Sequence, residues 1–337
     1  MKRIACVVIV GGLAGMCPDA PKPIDIIREA ITADGIRLGV TELASDEMGG
    51  RFFRSPFAEK AAKWIEARFT AIGLGHGATA DSFRQAIDED PETAPNLIAR
   101  IEVTGKGTGF IVISGHYDHL RPKRSGADLI HNGADDNASG VCGMLAVAQA
   151  MQALIAKGEG PACTILFIAF NGEEAGLRGS KAFVKLPTVP LSEIRAVFNM
   201  DMISRGAPRE IFIDGGPVGD PVVAALKVAN ETIQMKLRLN EHPDWLDRSD
   251  QGPFLSKGIP AVLFSVEDHA DYHQVGDEVE KIDAALAAET AQLVALAALN
   301  MSKESFVPRG MAAKVAEPVA PAAEPKLAEP VAPAPNP

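Results

Sequence analysis

Apolar and polar positions along the chain fall into two periods. Residues 24–33 are amphipathic and helix-like. Between 58 and 72, Ala61, Ala62, Trp64, Ile65, Phe69 and Ile72 recur at three- and four-residue spacing, the period of a helix with one buried face. Gly73 and Gly75 end it, as glycine commonly does. Residues 45–51 read as a polar loop. Residues 96–103 alternate like a strand, and 105–107 turn the chain toward an apolar strand over 110–114. A polar loop then leads to a helix over about 138–156, which Asp136 or Asn137 can cap. Gly158–Pro161 break it. Residues 163–169 form an apolar run that reads as a buried strand, followed by a helix near 180–184. Further strands are expected at 196–200, 211–213 and 261–266, and further helices at 221–233 and 282–301. Strands apolar on both faces and separated by helices predict an α/β domain with a largely parallel central sheet.

The two ends of the chain depart from this pattern. Lys2-Arg3, the apolar run 4–10 and the small residues after it describe an export signal over residues 1–20. The run is too short for a membrane span of about 20 residues. Cys17 follows a sequence similar to a lipoprotein processing box, so lipidation there is an alternative to simple cleavage. At the other end, eight of the 24 prolines lie in residues 308–337, and a Pro/Ala/Glu unit repeats. So few large apolar side chains cannot bury a core, so 307–337 is expected to be a disordered tail. The folded domain between them spans 21–306.

Composition narrows the partners. With a net charge of -11, neither nucleic acid nor an anionic membrane surface is expected. The four cysteines include no CxxC pair, so neither a cysteine zinc site nor a disulfide framework is expected. Cys142 and Cys163 read as buried thiols, with one disulfide between them as the alternative.

The chemistry sits at strand ends. Four apolar strands lead into His116, Glu173-Glu174, Asp201 and, after a short loop, His273; Asp135 or Asp136 opens a helix nearby. Two like charges at a buried strand end cost several kcal/mol unless they are solvated or neutralised. In open α/β sheets, ligand sites lie beyond the carboxyl ends of the strands, so parallel strands would bring these residues together. Two imidazoles with three or four carboxylates suit zinc, or two zinc ions about 3.5–4 Å apart sharing one carboxylate.

The motifs Gly115-His116-Tyr117-Asp118, 133–140, 171–180, Asn199-Met200-Asp201-Met202 and Tyr272-His273 resemble the co-catalytic di-zinc aminopeptidases. That exopeptidase family contains bacterial leucyl aminopeptidase and aminopeptidase Y, with glutamate carboxypeptidase and glutaminyl cyclase as relatives. The resemblance covers roughly 40–300. It implies a three-layer, mostly parallel (mixed) sheet with helices on both faces, of the zinc-exopeptidase type, and two Zn2+ as cofactors. It further implies that Asp136 bridges the metals, that Glu174 and His273 complete one, and that His116 and Asp201 complete the other. Glu173 would be the general base and Asp118 would orient His116. Which glutamate takes which role rests on the resemblance, because the spacing permits the reverse. Asp135 is left without a ligand role, and His119, His131 and His269 read as loop or rim residues. Gln251, Val275 and Arg121 depart from residues common in relatives and bear on the shape of the pocket. The implied activity is release of N-terminal residues from peptides with a free N-terminus; with the export signal, a periplasmic or secreted enzyme is expected, lipid-anchored if Cys17 is modified. Carboxypeptidase or dipeptidase activity on the same site, or an inactive binding module, are the alternatives. Arg178, Arg205 and Arg248 are the candidate carboxylate clamps for the former.

Overall fold

The computed structural model describes residues 21–103 and 107–305; the expected signal and tail lie outside the described residues. Among those, nine strands form one sheet: β1 (Gly75–His76), β2 (Arg84–Gln85), β3 (Asn96–Ile101), β4 (Phe110–His116), β5 (Thr164–Phe170), β6 (Ile194–Met200), β7 (Glu210–Asp214), β8 (Lys236–Leu239) and β9 (Ala261–Ser265). Their order is β1-β3-β5-β4-β6-β9-β7-β8, with β2 also on β3. The central strands β5, β4, β6 and β9 run parallel to one another. β3 and β7 flank them antiparallel. The sheet is therefore mixed, with a parallel centre.

The helices are α1 (Pro23–Ala30), α2 (Ala33–Leu43), α3 (Pro56–Ile72), α4 (Gly140–Ala156), α5 (Arg178–Lys185), α6 (Gly216–Ile233), α7 (Gly252–Leu255) and α8 (Ala284–Lys303). Period-two alternation in β5 shows how they divide between the faces. Ile165, Phe167 and Ala169 join a large core with α1, α2, α3, α4, α6 and α8. Leu166, Ile168 and Phe170 join a smaller core with Phe183 and Val184 of α5 and Phe254 of α7. The strands are apolar throughout because both faces are covered. The stretch Ala134–Ala156, which is α4 with the turn before it, and α8 are long and apolar enough to cross a membrane by composition, but 78% of each window is buried inside the fold, as core helices require.

Local chemistry sets several boundaries. Ser55 caps α3 by accepting the Ala58 N–H, and Gly73, at φ 82°, ends it. Asp283 caps α8 by accepting the N–H groups of Ala285 and Leu286 at 3.0 and 3.1 Å. Asp283→Ala is expected to cost about 1 kcal/mol, read as a lower urea midpoint with an unchanged slope.

The structure also corrects the pattern. Residues 45–51 are not a solvated loop: Asp46–Arg51 form a 3-10 turn in which Met48, Gly49, Gly50 and Arg51 are buried. A charged residue reads as surface in sequence, yet Arg51 is satisfied inside by backbone carbonyls. α2 was not marked by periodicity, and β1, β2 and β8 are too short to show alternation. α6 begins before Pro221 and holds it in its second turn. Cys142 and Cys163 are separate buried thiols, not a disulfide.

Candidate metal centre

The site lies beyond the carboxyl ends of the four parallel strands. His116 is the last residue of β4. Asp201 follows β6, and its N–H donates to the Phe264 carbonyl of β9. Glu173 and Glu174 lie on the turn after β5, and His273 on the loop after β9. Asp136 sits in the turn before α4. Asp277 shapes that turn: its carboxylate accepts the N–H groups of Asp135 and Asp136 at 2.9–3.1 Å. Asn137 Oδ1 then accepts the Gly140 N–H, which caps α4 in effect. Gly140 lets this end of the helix press on β6, since a Cβ there would lie 2.2 Å from the Met200 carbonyl oxygen.

Every expected ligand converges, and Asp136 stands at the centre. His116 Nε2 lies 3.4 Å from Asp136 Oδ1 and 3.1 Å from Asp201 Oδ1. His273 Nε2 lies 3.3 Å from both Asp136 Oδ2 and Glu174 Oε2. Donors on one tetrahedral zinc, at about 2.0–2.2 Å from the ion, are separated by about 3.3 Å. Both donor sets match that spacing, and each uses a different oxygen of Asp136.

The electrostatics agree. Burial opposes charge on Asp136, but the surrounding His119, His116 and His273 hold its carboxyl well below the usual range. Burial and Asp136 act against charge on Glu174, and hydrogen bonds from His119 and His273 outweigh them. Burial disfavours protonated His116, yet Asp201 and Glu173 hold it well above its ordinary value. His273 is likewise raised to about 10: burial opposes this, and Asp136 and Glu174 override it. The carboxylates thus concentrate negative charge on the imidazoles that lie between them. A metal ion fits this donor set.

Glu173 differs from its neighbour. It lines the cleft with Asp136, Asp201 and His273, but it joins neither of the two tight donor groupings among the described residues, His116 with Asp136 and Asp201, and His119 with Asp136 and Glu174. Burial raises its carboxyl well above the usual range; His116 pulls it down, and Asp201, Asp250 and Glu174 push it up. Its N–H donates to Asp118 Oδ1 at 3.1 Å. Asp118 meets His116 differently from expectation. Its main-chain oxygen lies 3.1 Å from His116 Nδ1, whereas its carboxylate stands 3.7 Å away and is turned to Glu173.

Two readings of histidine are corrected, and the third, the loop residue His269, gains a partner. His119 and His131 are buried rather than on a rim. His119 Nδ1 lies 2.8 Å from Glu174 Oε1 and 3.6 Å from Asp136 Oδ2. His269 Nε2 lies 3.2 Å from Asp135 Oδ2, and Ser204 donates to the other oxygen of that carboxylate. Asp135 thus ties two loops together from behind the centre. Spacing could not mark these contacts, because each crosses between distant loops.

The cleft wall is mixed. Met202, Trp245 and Leu263 supply apolar surface; Arg248, Ser249, Ser265, Asp268 and Tyr272 complete it. Arg248 stands 3.6 Å from Asp268, and Arg205 is paired with Asp271 at 2.9 Å. Arg178 lies over the Phe53 ring, 3.9 Å from Asp88.

Comparison with known proteins extends the picture. The profile of Peptidase family M28 matches residues 96–298. A probable leucine aminopeptidase of Trichophyton verrucosum is 25% identical over 278 residues, covering 80% of this chain and 73% of that protein. The LapA aminopeptidase of Legionella pneumophila shares the fold with a TM-score of 0.68 at 19% identity, over 84% of this chain and 75% of that one. BSAP, a zinc aminopeptidase from Bacillus subtilis, aligns at 26% identity and a TM-score of 0.53, over 63% of this chain and 51% of that one.

Proposed function

We propose that this chain, which belongs to peptidase family M28 and is a hydrolase acting on peptides, removes N-terminal residues with the help of two zinc ions. One observation carries the reading. Asp136 presents separate oxygens to two donor sets, each with the spacing of a tetrahedral zinc. His116 and Asp201 would hold one ion with Asp136; Glu174 and His273 would hold the other with it.

When bound, the ions supply Lewis acidity and bring the pKa of a water toward neutrality. The remaining chemistry belongs to the chain. Glu173 accepts a proton from the attacking water and returns it to the leaving amine. Asp118 steadies Glu173 and the neighbouring His116, with its carboxylate on the Glu173 N–H and its main-chain oxygen at His116 Nδ1. The substrate side chain rests on Met202, Trp245 and Leu263.

The charge of the cleft supports an aminopeptidase over a carboxypeptidase. Glu173, the acidic group there that is assigned to neither ion and, among the described residues, paired with no arginine, faces it, which suits a free α-ammonium. A C-terminal carboxylate needs an available guanidinium, and Arg178, Arg205 and Arg248 each stand against an aspartate.

Aminoacyl-4-nitroanilides are expected to be hydrolysed and their N-acetylated forms left intact, with chelator abolishing the activity and zinc restoring it. Cleavage of N-blocked substrates overturns the aminopeptidase assignment. A chain that binds no zinc by elemental analysis points to the inactive binding module instead.

A further inference from the structure

His119 is the buried group that this mechanism leaves without work. It follows the ligand His116 by three residues and is 0% exposed. Its Nδ1 lies 2.8 Å from Glu174 Oε1, a hydrogen-bond distance. The other oxygen of that carboxylate, Oε2, is the one that faces His273 at 3.3 Å. The two imidazoles therefore take opposite oxygens of Glu174.

The proton can be placed. An ionised Glu174 only accepts, so Nδ1 carries hydrogen and Nε2 is the bare nitrogen. Nε2 is buried and has no hydrogen-bond partner among the described residues. Were Nδ1 the bare nitrogen, the N–H would sit on Nε2, buried without an acceptor, an arrangement that folded proteins avoid. The distance agrees: 2.8 Å is shorter than the roughly 3.3 Å between two donors on one zinc.

The ring is also held in place. Gly133, at φ +56°, lies so close that a Cβ there would stand 2.7 Å from His119 Cδ2 and 2.8 Å from Cγ. The turn that carries Asp136 thus packs directly on this imidazole. His131 and His273 meet it edge-on at 6.1 and 5.9 Å.

We propose that His119 is a positioning residue for one half of the metal centre: its Nδ1–H holds Glu174 Oε1 and so turns Oε2 toward the ion shared with His273 and Asp136. The inference rests on the two-zinc reading above. It makes the two halves unlike. His116 is oriented by a carbonyl oxygen, whereas Glu174, a carboxylate, is oriented by an imidazole.

The test is zinc titration of the full chain after chelator stripping, against a chromophoric competitor, for wild type, His119→Ala and His119→Asn. Loss of such a partner costs about 10–100-fold in metal affinity. His119→Ala is expected to weaken one of the two zinc sites by that factor and leave the other nearly unchanged. His119→Asn keeps an N–H close to the position of Nδ1, so it is expected to restore most of the lost affinity. A purely structural role would move the melting temperature of the stripped protein, and Asn would restore no site in particular. Unchanged affinities in His119→Ala overturn the proposal. So does an Asn variant as weak as the Ala variant, which would make His119 a direct ligand. Should His119→Ala fail to fold, His119→Asn decides alone: near wild-type binding at both sites supports the hydrogen bond, and loss of one zinc overturns it. A wild type that binds fewer than two zinc ions sinks the two-zinc reading itself, and this inference with it.

Discussion

Glu173→Gln is expected to lower turnover by about 10²–10⁴-fold, the range for loss of a positioned proton-transfer group, while both zinc ions stay bound. Glutamine keeps the shape and the main-chain hydrogen bond from Glu173 N–H to Asp118, but its amide cannot accept and return the proton. Metal binding should survive because Glu173 belongs to neither donor grouping in the described site. Glu174→Gln tests the contrast, since Glu174 faces His273 and His119 with both oxygens and should lose metal. Stopped assays on an aminoacyl-4-nitroanilide, paired with elemental analysis of the same samples, give both readings. A Glu173→Gln enzyme with near wild-type turnover would remove the general base from the mechanism; one that loses zinc would make Glu173 a ligand.

Arg51→Met is expected to cost about 3–5 kcal/mol, the scale of removing one partner of a buried charged network. The guanidinium is fully buried and donates to four backbone carbonyls: Tyr117 at 2.8 Å, Leu43 at 2.9 Å, Asn132 at 2.7 Å and Gly133 at 3.0 Å. Methionine fills similar space but leaves those oxygens without donors, at about 1–3 kcal/mol for each buried group left unpaired. Burial lowers the Arg51 pKa to about 10, opposed by Asp136, Asp277 and Asp118, so it is a cation at neutral pH and offsets the negative centre. The melting temperature should fall by roughly 6–20 °C. Zinc affinity should fall with it, because Tyr117 sits between His116 and Asp118, and Asn132 and Gly133 lead into Asp136. A shift below about 2 °C would mean that the carbonyls find water or other donors.

The fold class and most of the donor set were legible in the sequence for one reason: both depend on local pattern. Apolar runs such as 110–114 and 163–169 can only be buried strands, and polar residues at their ends must meet beyond the sheet. The same locality explains the losses. Arg51 reads as surface because charge is normally solvated, and four carbonyls from three separate segments make the exception. His119 reads as a rim residue because its partner, Glu174, lies 55 positions away.

The sequence by itself marked the residue types expected at the candidate site: two imidazoles, the Glu173-Glu174 pair and two aspartates, each tied to its own strand end or helix start. Tertiary structure decided how they divide. The order β5-β4-β6-β9 places four strand ends side by side, and that order is set by packing between segments far apart in the chain. Only then does each carboxylate oxygen acquire a particular neighbour. Asp136 turns Oδ1 to His116 and Oδ2 to His273; Glu174 turns Oε1 to His119 and Oε2 to His273. Hydrogen bonds and metal bonds act over about 2–3 Å, so assignments at that scale belong to the folded chain.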